Sequence, residues 1–392
     1  MSIATRRAGA AWRDGVRGRR GTGIAVLVVA ALLPFVLSDF LLKQMALFLP
    51  LVILAIGVDL LWGENRLVSF GHGAFFALGG YVGGLILSGA PGNVVGAQSS
   101  FLTGADSKPL LDRALEALNA VQVGGVPLLA LLVAPLVTGL IGLVIGAVMF
   151  RVASPEIYVP LLTLGISVLA SLALNDVAAL GGSNGLGGIP SYTDTLTATG
   201  ATGVSTYLFN ACVVAAVMVG YWLFRRSDAG VVWRALGDDP VRTEALGYSI
   251  RRLRALGFGA STALAGAAGA LYAGTSNYIG PSLAGVLFST QILIWLAVGG
   301  TGTLMGPLIG VMVVKWGEHY LSSDLGFEES WQLFLGVMLI VVVLVAPSGL
   351  AGLPRQVRLA RSRGRGRGGG RGGGDGASRT LEPAPSVTEP AV

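Results

Sequence analysis

Few residues in this sequence belong to types that carry out chemistry at neutral pH. It contains two histidines, His72 and His319, and one cysteine, Cys212. There is no His-Glu-x-x-His metal motif, and the two histidines fit no Ser-His-Asp set. The stretch 299–307 is rich in glycine but lacks the Gly-Lys-Ser/Thr ending that a phosphate-binding loop needs. The sequence therefore predicts no catalytic residue, no metal site and no enzyme active in its own right.

The remaining polar residues of interest lie within or beside apolar stretches. Asp59 lies inside a long apolar run, where a charge costs roughly 2.5–3.5 kcal/mol at the bilayer centre and less near an interface. Two glycine-rich segments, 69–76 and 181–190, carry further polar groups. Broken helices at membrane depth often mark transport sites, because their backbone must be satisfied by protein or water. The candidates for lining a translocation path are Asp59, Ser69, His72, Phe75, Ser183 and Asn184.

Each of these candidates also has a purely structural interpretation. Asp59 lies about one turn from the end of its apolar run, where it can reach interfacial water or cap the next turn. His72 is at a position where a helix can begin, and its ring can bond the backbone there. The segment 181–190 can be an ordinary external loop. The sequence leaves both interpretations open.

Membrane helices must position these residues. Of the 392 residues, 53% are hydrophobic and only 12% are charged, and the mean hydropathy is +0.71. A soluble protein carries about 25% charged residues. The sequence therefore predicts an all-α fold, a polytopic membrane helix bundle of about ten transmembrane helices. The predicted spans within 24–346 are 24–42, 44–62, 70–88, 126–149, 157–174, 205–224, 255–273, 286–298, 304–317 and 331–346. The region 286–317 is either two spans or one broken helix.

Small residues recur at four-residue spacing within the predicted spans. In a bilayer such pairs allow helix backbones to approach closely, because the hydrophobic effect does not drive helices together there. They predict a densely packed bundle and say little about a substrate. The pairs are Gly80 and Gly84, Gly142 and Gly146, Ala265 and Gly269, and Gly306 and Gly310.

Arginine sets the predicted orientation through the positive-inside rule. With ten spans and a cytoplasmic N-terminus, the basic segment 1–23, the loop 225–254 and the tail 347–392 all lie inside and carry most of the basic residues. We therefore expect a multi-pass protein of the plasma (inner) membrane with both termini cytoplasmic. The Arg/Gly- and Pro-rich tail is predicted to be disordered, and to contact anionic membrane lipid rather than nucleic acid.

The loop 225–254 contains a short predicted helix. Asp239 can cap its N-terminus, Pro240 suits the first helical position, and Gly247 suits the C-terminal end of a helix over Val241 to Leu246. An exposed helix between two spans can dock a soluble partner, although a solvated connection fits the same pattern. The candidate coupling residues are Asp238, Asp239, Arg242, Glu244, Ala245, Leu246 and Gly247.

Four stretches of the sequence carry recognisable motifs: 59–81, with Leu-Trp-Gly and Gly-His-Gly-Ala-Phe-Phe; 181–190; 234–272; and 298–307. Together they resemble the membrane subunits of ABC importers for branched-chain amino acids and urea. The similarity covers about 40–353, and the urea-type second permease fits best. In this sequence Glu64-Asn65-Arg66 replaces the aromatic, Gly-rich turn of the family.

The resemblance implies the function and the partners. The chain would form the translocation path for urea or short amides, with a branched-chain or hydrophobic amino acid as the alternative cargo. A secondary carrier or channel is a further alternative, which the scarcity of ionisable residues within the spans disfavours. The implied partners are a second homologous permease, two ATPase subunits that use ATP and Mg²⁺, and an extracytoplasmic solute-binding protein. No cofactor is expected in the chain itself.

The arginine distribution yields a test of topology. Reporter fusions at residue 360 and near Asn184 should report opposite sides of the membrane, because the basic tail is predicted inside and the segment 181–190 outside. Alkaline phosphatase and fluorescent-protein fusions at both positions measure this directly. Signals from the same side would contradict the ten-span arrangement.

Overall fold

The structure is a computed structural model that describes residues 33–34, 37–88, 126–152, 155–177, 180–197, 202–323, 331–345 and 349–352. The basic segment 1–23, most of the first predicted span 24–42 and the tail beyond residue 352 lie outside the described residues. The predictions about their structure therefore remain predictions.

The described chain is mostly helical. Two short strands, β1 (Leu186–Gly187) and β2 (Tyr278–Ile279), pair antiparallel with Leu186 opposite Ile279. Short 3-10 segments lie at Gly182–Asn184, Pro281–Ala284 and Leu350–Gly352. The α-helices are α1 (Asp39–Asn65), α2 (His72–Ser88), α3 (Val126–Val152), α4 (Pro155–Asp176), α5 (Tyr192–Thr197), α6 (Gly203–Arg226), α7 (Asp228–Asp238), α8 (Pro240–Ala245), α9 (Ile250–Ser276), α10 (Val286–Gly299), α11 (Gly306–Ser323) and α12 (Trp331–Val345).

Within the described residues, five helices are long and apolar enough to cross a membrane: α1, α3, α4, α6 and α9. The shorter α2 and α10 are also apolar. The region 286–317 contains two helices, α10 and α11, joined by the non-helical residues 300–305. The chain is thus a multi-pass helical membrane protein.

The start of α1 corrects one predicted boundary. The hydropathy pattern predicts that one span ends at residue 42 and the next begins at 44, whereas the helix begins at Asp39, directly after Ser38 in extended conformation. The Lys43 ammonium lies 3.1 Å from the Asp39 carboxylate one turn earlier, a spacing at which opposite charges favour a helix. Lys43 therefore belongs to the first turns of the helix and not to a connection.

Two helices, α1 and α9, form the centre of the bundle. In their most apolar stretches 83% and 67% of the residues are buried, compared with 22% in each of α3, α4 and α6. Leu132, Leu136 and Leu140 follow one exposed stripe along α3. In a bilayer these outer faces contact lipid or another membrane subunit, while α1 and α9 contact mainly this chain.

Glycine allows α9 to approach its neighbours at backbone distance. A side chain at Gly269 would collide with the carbonyl oxygen of Phe76 in α2, and one at Gly79 would collide with the backbone of Gly266. On the other side of α9, Gly142 of α3 packs against the Thr262 side chain. The packing pairs predicted from Gly80, Gly142 and Gly269 therefore lie at helix contacts.

This packing predicts a contrast between two glycine-to-alanine substitutions. Gly269→Ala should lower the thermal stability of the detergent-solubilised protein, because the methyl group separates α9 from α2. Gly220→Ala is the matched control, since nothing lies within 4 Å of its added carbon, and alanine favours a helix by about 1 kcal/mol. Thermal unfolding followed by size-exclusion chromatography measures the effect. Equal melting temperatures for the two variants would contradict this account of the packing.

Candidate functional site

The break before α2 is satisfied by side chains from two other helices. The Phe70 N–H donates to Thr163 Oγ1 at 3.0 Å, and the Ser167 hydroxyl donates to the Phe70 carbonyl at 2.6 Å. The Gly73 N–H donates to Ser289 Oγ at 3.1 Å. Because α4 supplies Thr163 and Ser167 and α10 supplies Ser289, the non-helical backbone can lie within the protein without unpaired polar groups.

His72 joins three helices through a chain of hydrogen bonds. Its Nε2 lies 2.6 Å from Ser261 Oγ, and the Ser261 hydroxyl donates to the Gly57 carbonyl at 2.5 Å. Nε2 must therefore be the donor to Ser261, because that hydroxyl has only one proton. Nδ1 lies 3.1 Å from Ser69 Oγ, whose hydroxyl can donate to it when the ring is neutral. This series of hydrogen bonds links α1, α2 and α9.

The predicted path residues near α2 are all buried within the chain in this conformation. Ser69 and His72 form the hydrogen bonds just described, and Phe75 packs edge-to-face on Phe258 with ring centroids 5.8 Å apart. These contacts show a role in holding helices together. Their role in lining a path remains a prediction.

The segment 181–190 forms an ordered loop beyond the end of α9. Ser183 and Asn184 are exposed on its 3-10 turn, and β1 pairs with β2. The Asn277 side-chain amide donates to the Ile189 carbonyl at 2.7 Å. Since α9 has 27 residues and is therefore about 40 Å long, this loop and α8 lie at opposite ends of the bundle.

Five residues form a largely buried cluster at the C-terminal end of α1, which we call the charged cluster: Asp59, Glu64, Tyr221, Arg225 and Gly302. The Asp59 carboxylate accepts the Tyr221 hydroxyl at 2.8 Å and the Gly302 N–H at 2.6 Å. Arg225 Nε lies 2.8 Å from Glu64 Oε1, and Arg225 Nη2 donates to the Gly302 carbonyl at 2.8 Å. The charged cluster therefore joins α1, α6 and the loop 300–305.

Helix α7 docks on the last turns of α1. The Trp233 indole N–H donates to the Leu60 carbonyl at 2.9 Å, and Gly237 lies directly against the α1 backbone at residue 64. Arg66 and Asp238 form an exposed ion pair at 2.9 Å. Asp238, a predicted coupling residue, thus contacts the end of α1. Helix α7 is not predicted from the sequence.

The predicted helix after Asp239 is present as α8. The Asp239 side chain accepts the Arg242 N–H at 3.1 Å and pairs with its guanidinium at 2.8 Å. Gly247 has a φ of +91°, a left-handed conformation that glycine adopts readily. The side chains of Val241 and Leu246 are 77% and 76% exposed, so α8 carries an uncovered apolar surface. Glu244 and Ala245 are also exposed.

Sequence reasoning missed most members of the charged cluster. In the sequence, Arg225 indicates only membrane orientation through the positive-inside rule. Glu64 indicates only a departure from the family pattern. One signal was available, since Tyr221 and Arg225 are four residues apart and therefore share a helix face. Their partners could not be found from sequence, because Tyr221 lies 162 positions from Asp59 in the chain.

The described part of the chain gathers its polar groups into junctions between helices. Within the ranges that the structure describes, no group of three or more His, Cys, Asp or Glu side chains could hold a metal ion. The junctions hold helix breaks and a loop in defined positions.

Comparison with known proteins places the chain among transport subunits. Residues 40–343 match the family described as "Branched-chain amino acid transport system / permease component". The chain is 24% identical over 355 residues to the high-affinity branched-chain amino acid transport permease LivM of Escherichia coli K12, covering 85% of this chain and 75% of LivM. It is 26% identical over 319 residues to BraD of Pseudomonas aeruginosa, covering 77% and 91%.

A further relative has a different described cargo. The chain is 27% identical over 187 residues to the autoinducer 2 import permease LsrC of Enterobacter sp. 638, covering 46% of this chain and 54% of LsrC. No solved structure matches the chain. The relatives are permease subunits and not enzymes, as the absence of a catalytic motif predicted. Since the match at 40–343 covers most of its length, the chain belongs to the branched-chain amino acid transport system permease family.

Proposed function

We propose that this chain forms part of the translocation path of an ABC importer for a branched-chain amino acid. The family match over 40–343 carries this proposal, because it spans the bundle from α1 to α12. The arrangement supports it: α1 and α9 are enclosed, and helix breaks at α2 and at 300–305 lie where side chains satisfy them. Asp59, Ser69, His72, Phe75, Ser183 and Asn184 remain our candidates for residues that face the solute.

The family implies ATPase and binding-protein partners for a permease subunit. We propose that two ATPase subunits, which use ATP and Mg²⁺, contact the end that carries α8. An extracytoplasmic binding protein contacts the end that carries Ser183 and Asn184. A second homologous permease covers part of the exposed apolar face of α3, α4 or α6, and membrane lipid covers the remainder. In this orientation the α8 end and both termini are cytoplasmic.

Urea is the second candidate cargo. The sequence motifs favoured urea, whereas the relatives named above are described as transporting branched-chain amino acids or autoinducer 2. Both solutes suit a path lined by small neutral polar groups such as Ser69, Ser183 and Asn184. The ranking therefore follows the relatives and places the amino acid first.

Uptake of labelled solutes distinguishes the two candidates. Vesicles that contain this permease with its ATPase and binding-protein partners should accumulate labelled leucine in an ATP-dependent manner. Urea at equal concentration should not reduce this uptake of leucine. Vesicles without the binding protein provide the background rate. Urea uptake without leucine uptake would reverse the ranking, and uptake of neither solute would contradict the proposed cargo class.

We propose that α8 and its flanking residues contact the ATPase. Its apolar side chains Val241 and Leu246 are uncovered, and Arg242 and Glu244 flank them with charges of both signs. Helix α7, which directly precedes α8, packs against α1. A partner that binds α8 therefore acts on a segment that is attached to the bundle. A helix capped by Asp239 and ended by Gly247 keeps its shape while exposed.

Substitutions in α8 and in the turn that follows it should disrupt assembly with the ATPase. Glu244→Arg, or Gly247→Leu, which strains a positive φ, should leave membrane insertion intact but lower both ATPase co-purification and uptake. A loss of ~1.4 kcal/mol of binding free energy corresponds to about tenfold in affinity. Asp176→Arg is the matched control for ATPase co-purification only, because this exposed acid lies at the end of α4 beside the loop 181–190, at the opposite end of the bundle from α8. Normal assembly and uptake in both α8 variants would show that this loop is only a solvated connection.

A further inference from the structure

The charged cluster binds the loop 300–305 through the backbone N–H and the backbone carbonyl of one residue, Gly302. The Gly302 N–H is bound by Asp59 and its carbonyl by Arg225. Gly302 has a φ of +69°, and the absence of a side chain at Gly63 allows it to approach α1. Since Arg225 also pairs with Glu64, one guanidinium joins two helices and the loop. Its side chain is 20% exposed and that of Glu64 only 3%.

Helix α7 begins close to the charged cluster, directly after the last turn of α6. Arg225 precedes the cap residue Ser227 by two positions, and Ser227 begins α7. Trp233 anchors α7 to the Leu60 carbonyl, while the ion pair of Arg66 with Asp238 is 71% and 73% exposed and therefore weak. A displacement of α7 would therefore pull on the last turn of α6, where Arg225 lies.

A buried side-chain amide without partners lies where α7 docks. Asn65 is 2% exposed, its backbone lies against Gly237, and neither its side-chain nitrogen nor its side-chain oxygen has a hydrogen-bond partner within the described residues. Buried amides without partners are unfavourable and rare. Separation of α7 from α1 would return this amide to water. Trp233 and Gly237 thus hold α7 on α1 directly, the charged cluster fixes the end of α6 from which α7 continues, and Asn65 opposes the docked state.

We propose that the charged cluster is a clasp that keeps α7 and the loop 300–305 on the end of α1, and that it opens when an ATPase subunit displaces α8. Arg225 is the positioning residue of this clasp. Opening exposes Asn65 and frees the loop between α10 and α11, which widens this end of the path. The link to the ATPase rests on the proposed function, whereas the clasp itself rests only on contacts within this chain.

The first experiment tests the clasp in membranes without any partner. Asn65→Cys is introduced into a Cys212→Ser background, because Cys212 is exposed, and its reaction with a maleimide is timed. Arg225→Gln and Glu64→Gln should each accelerate the reaction at least tenfold. Arg225→Lys, which keeps a charge beside Glu64 but not the fork that reaches Gly302, should give an intermediate rate. Size-exclusion elution identifies any variant that does not fold.

Arg226→Gln is the matched control for the clasp. Arg226 is the next residue, and its guanidinium stacks 3.8 Å from the Trp222 ring and contacts no member of the charged cluster by hydrogen bond. Its substitution should leave the labelling rate unchanged. Equal rates in the Arg225→Gln, Glu64→Gln and Arg226→Gln variants, all folded, would overturn the clasp.

The second experiment tests the link to ATP in the assembled transporter. With Arg225 and Glu64 intact, ATP with vanadate should accelerate labelling of Asn65→Cys at least tenfold over the nucleotide-free complex. Labelling that responds to Arg225→Gln but not to ATP would overturn the coupling step. Failure of the proposed function would show separately, as absence of uptake by the complex that carries none of these substitutions.

Discussion

Backbone that leaves the helical path inside a membrane must find its hydrogen-bond partners within the protein, and much of this structure depends on that constraint. The break before α2 takes its partners from Thr163, Ser167 and Ser289, and the loop 300–305 takes them from Asp59 and Arg225. These partners come from four helices, α4, α10, α1 and α6. The breaks therefore determine which helices must be neighbours.

Close packing is what brings these partners within reach. The Ser261 hydroxyl can reach the Gly57 carbonyl because Gly57 has no side chain, and an added carbon there would lie 2.9 Å from the Ser261 carbonyl. The close approach of α2 to α9, where Gly79 meets Gly266, accompanies the contact of His72 Nε2 with Ser261 Oγ at 2.6 Å. Glycine therefore contributes to the polar junctions as well as to van der Waals contact between helices.

The sequence predicts the helices well and the junctions poorly, for a physical reason. Helices in a bilayer form from local apolar runs, and the cap at Asp239 is set by neighbouring residues, so both can be read along the chain. The partners of Asp59 come from α6 and from residue 302, and only tertiary packing brings them together. Helix α7 was missed because Trp233 and Leu236, which form its buried face, lie among charges that indicated a solvated loop.

The energetics of the charged cluster favour specificity over stability. A buried ion pair loses hydration roughly equal to its Coulomb attraction, and well-packed apolar residues often stabilise a fold as well or better. Removing one partner of such a pair costs about 3–5 kcal/mol, because the other charge remains buried. Glu64 and Arg225 thus add little to the free energy of folding relative to apolar side chains. Separating the Glu64 and Arg225 side chains without hydrating them is unfavourable. Helices α6 and α1 therefore separate at this pair only where solvent can enter.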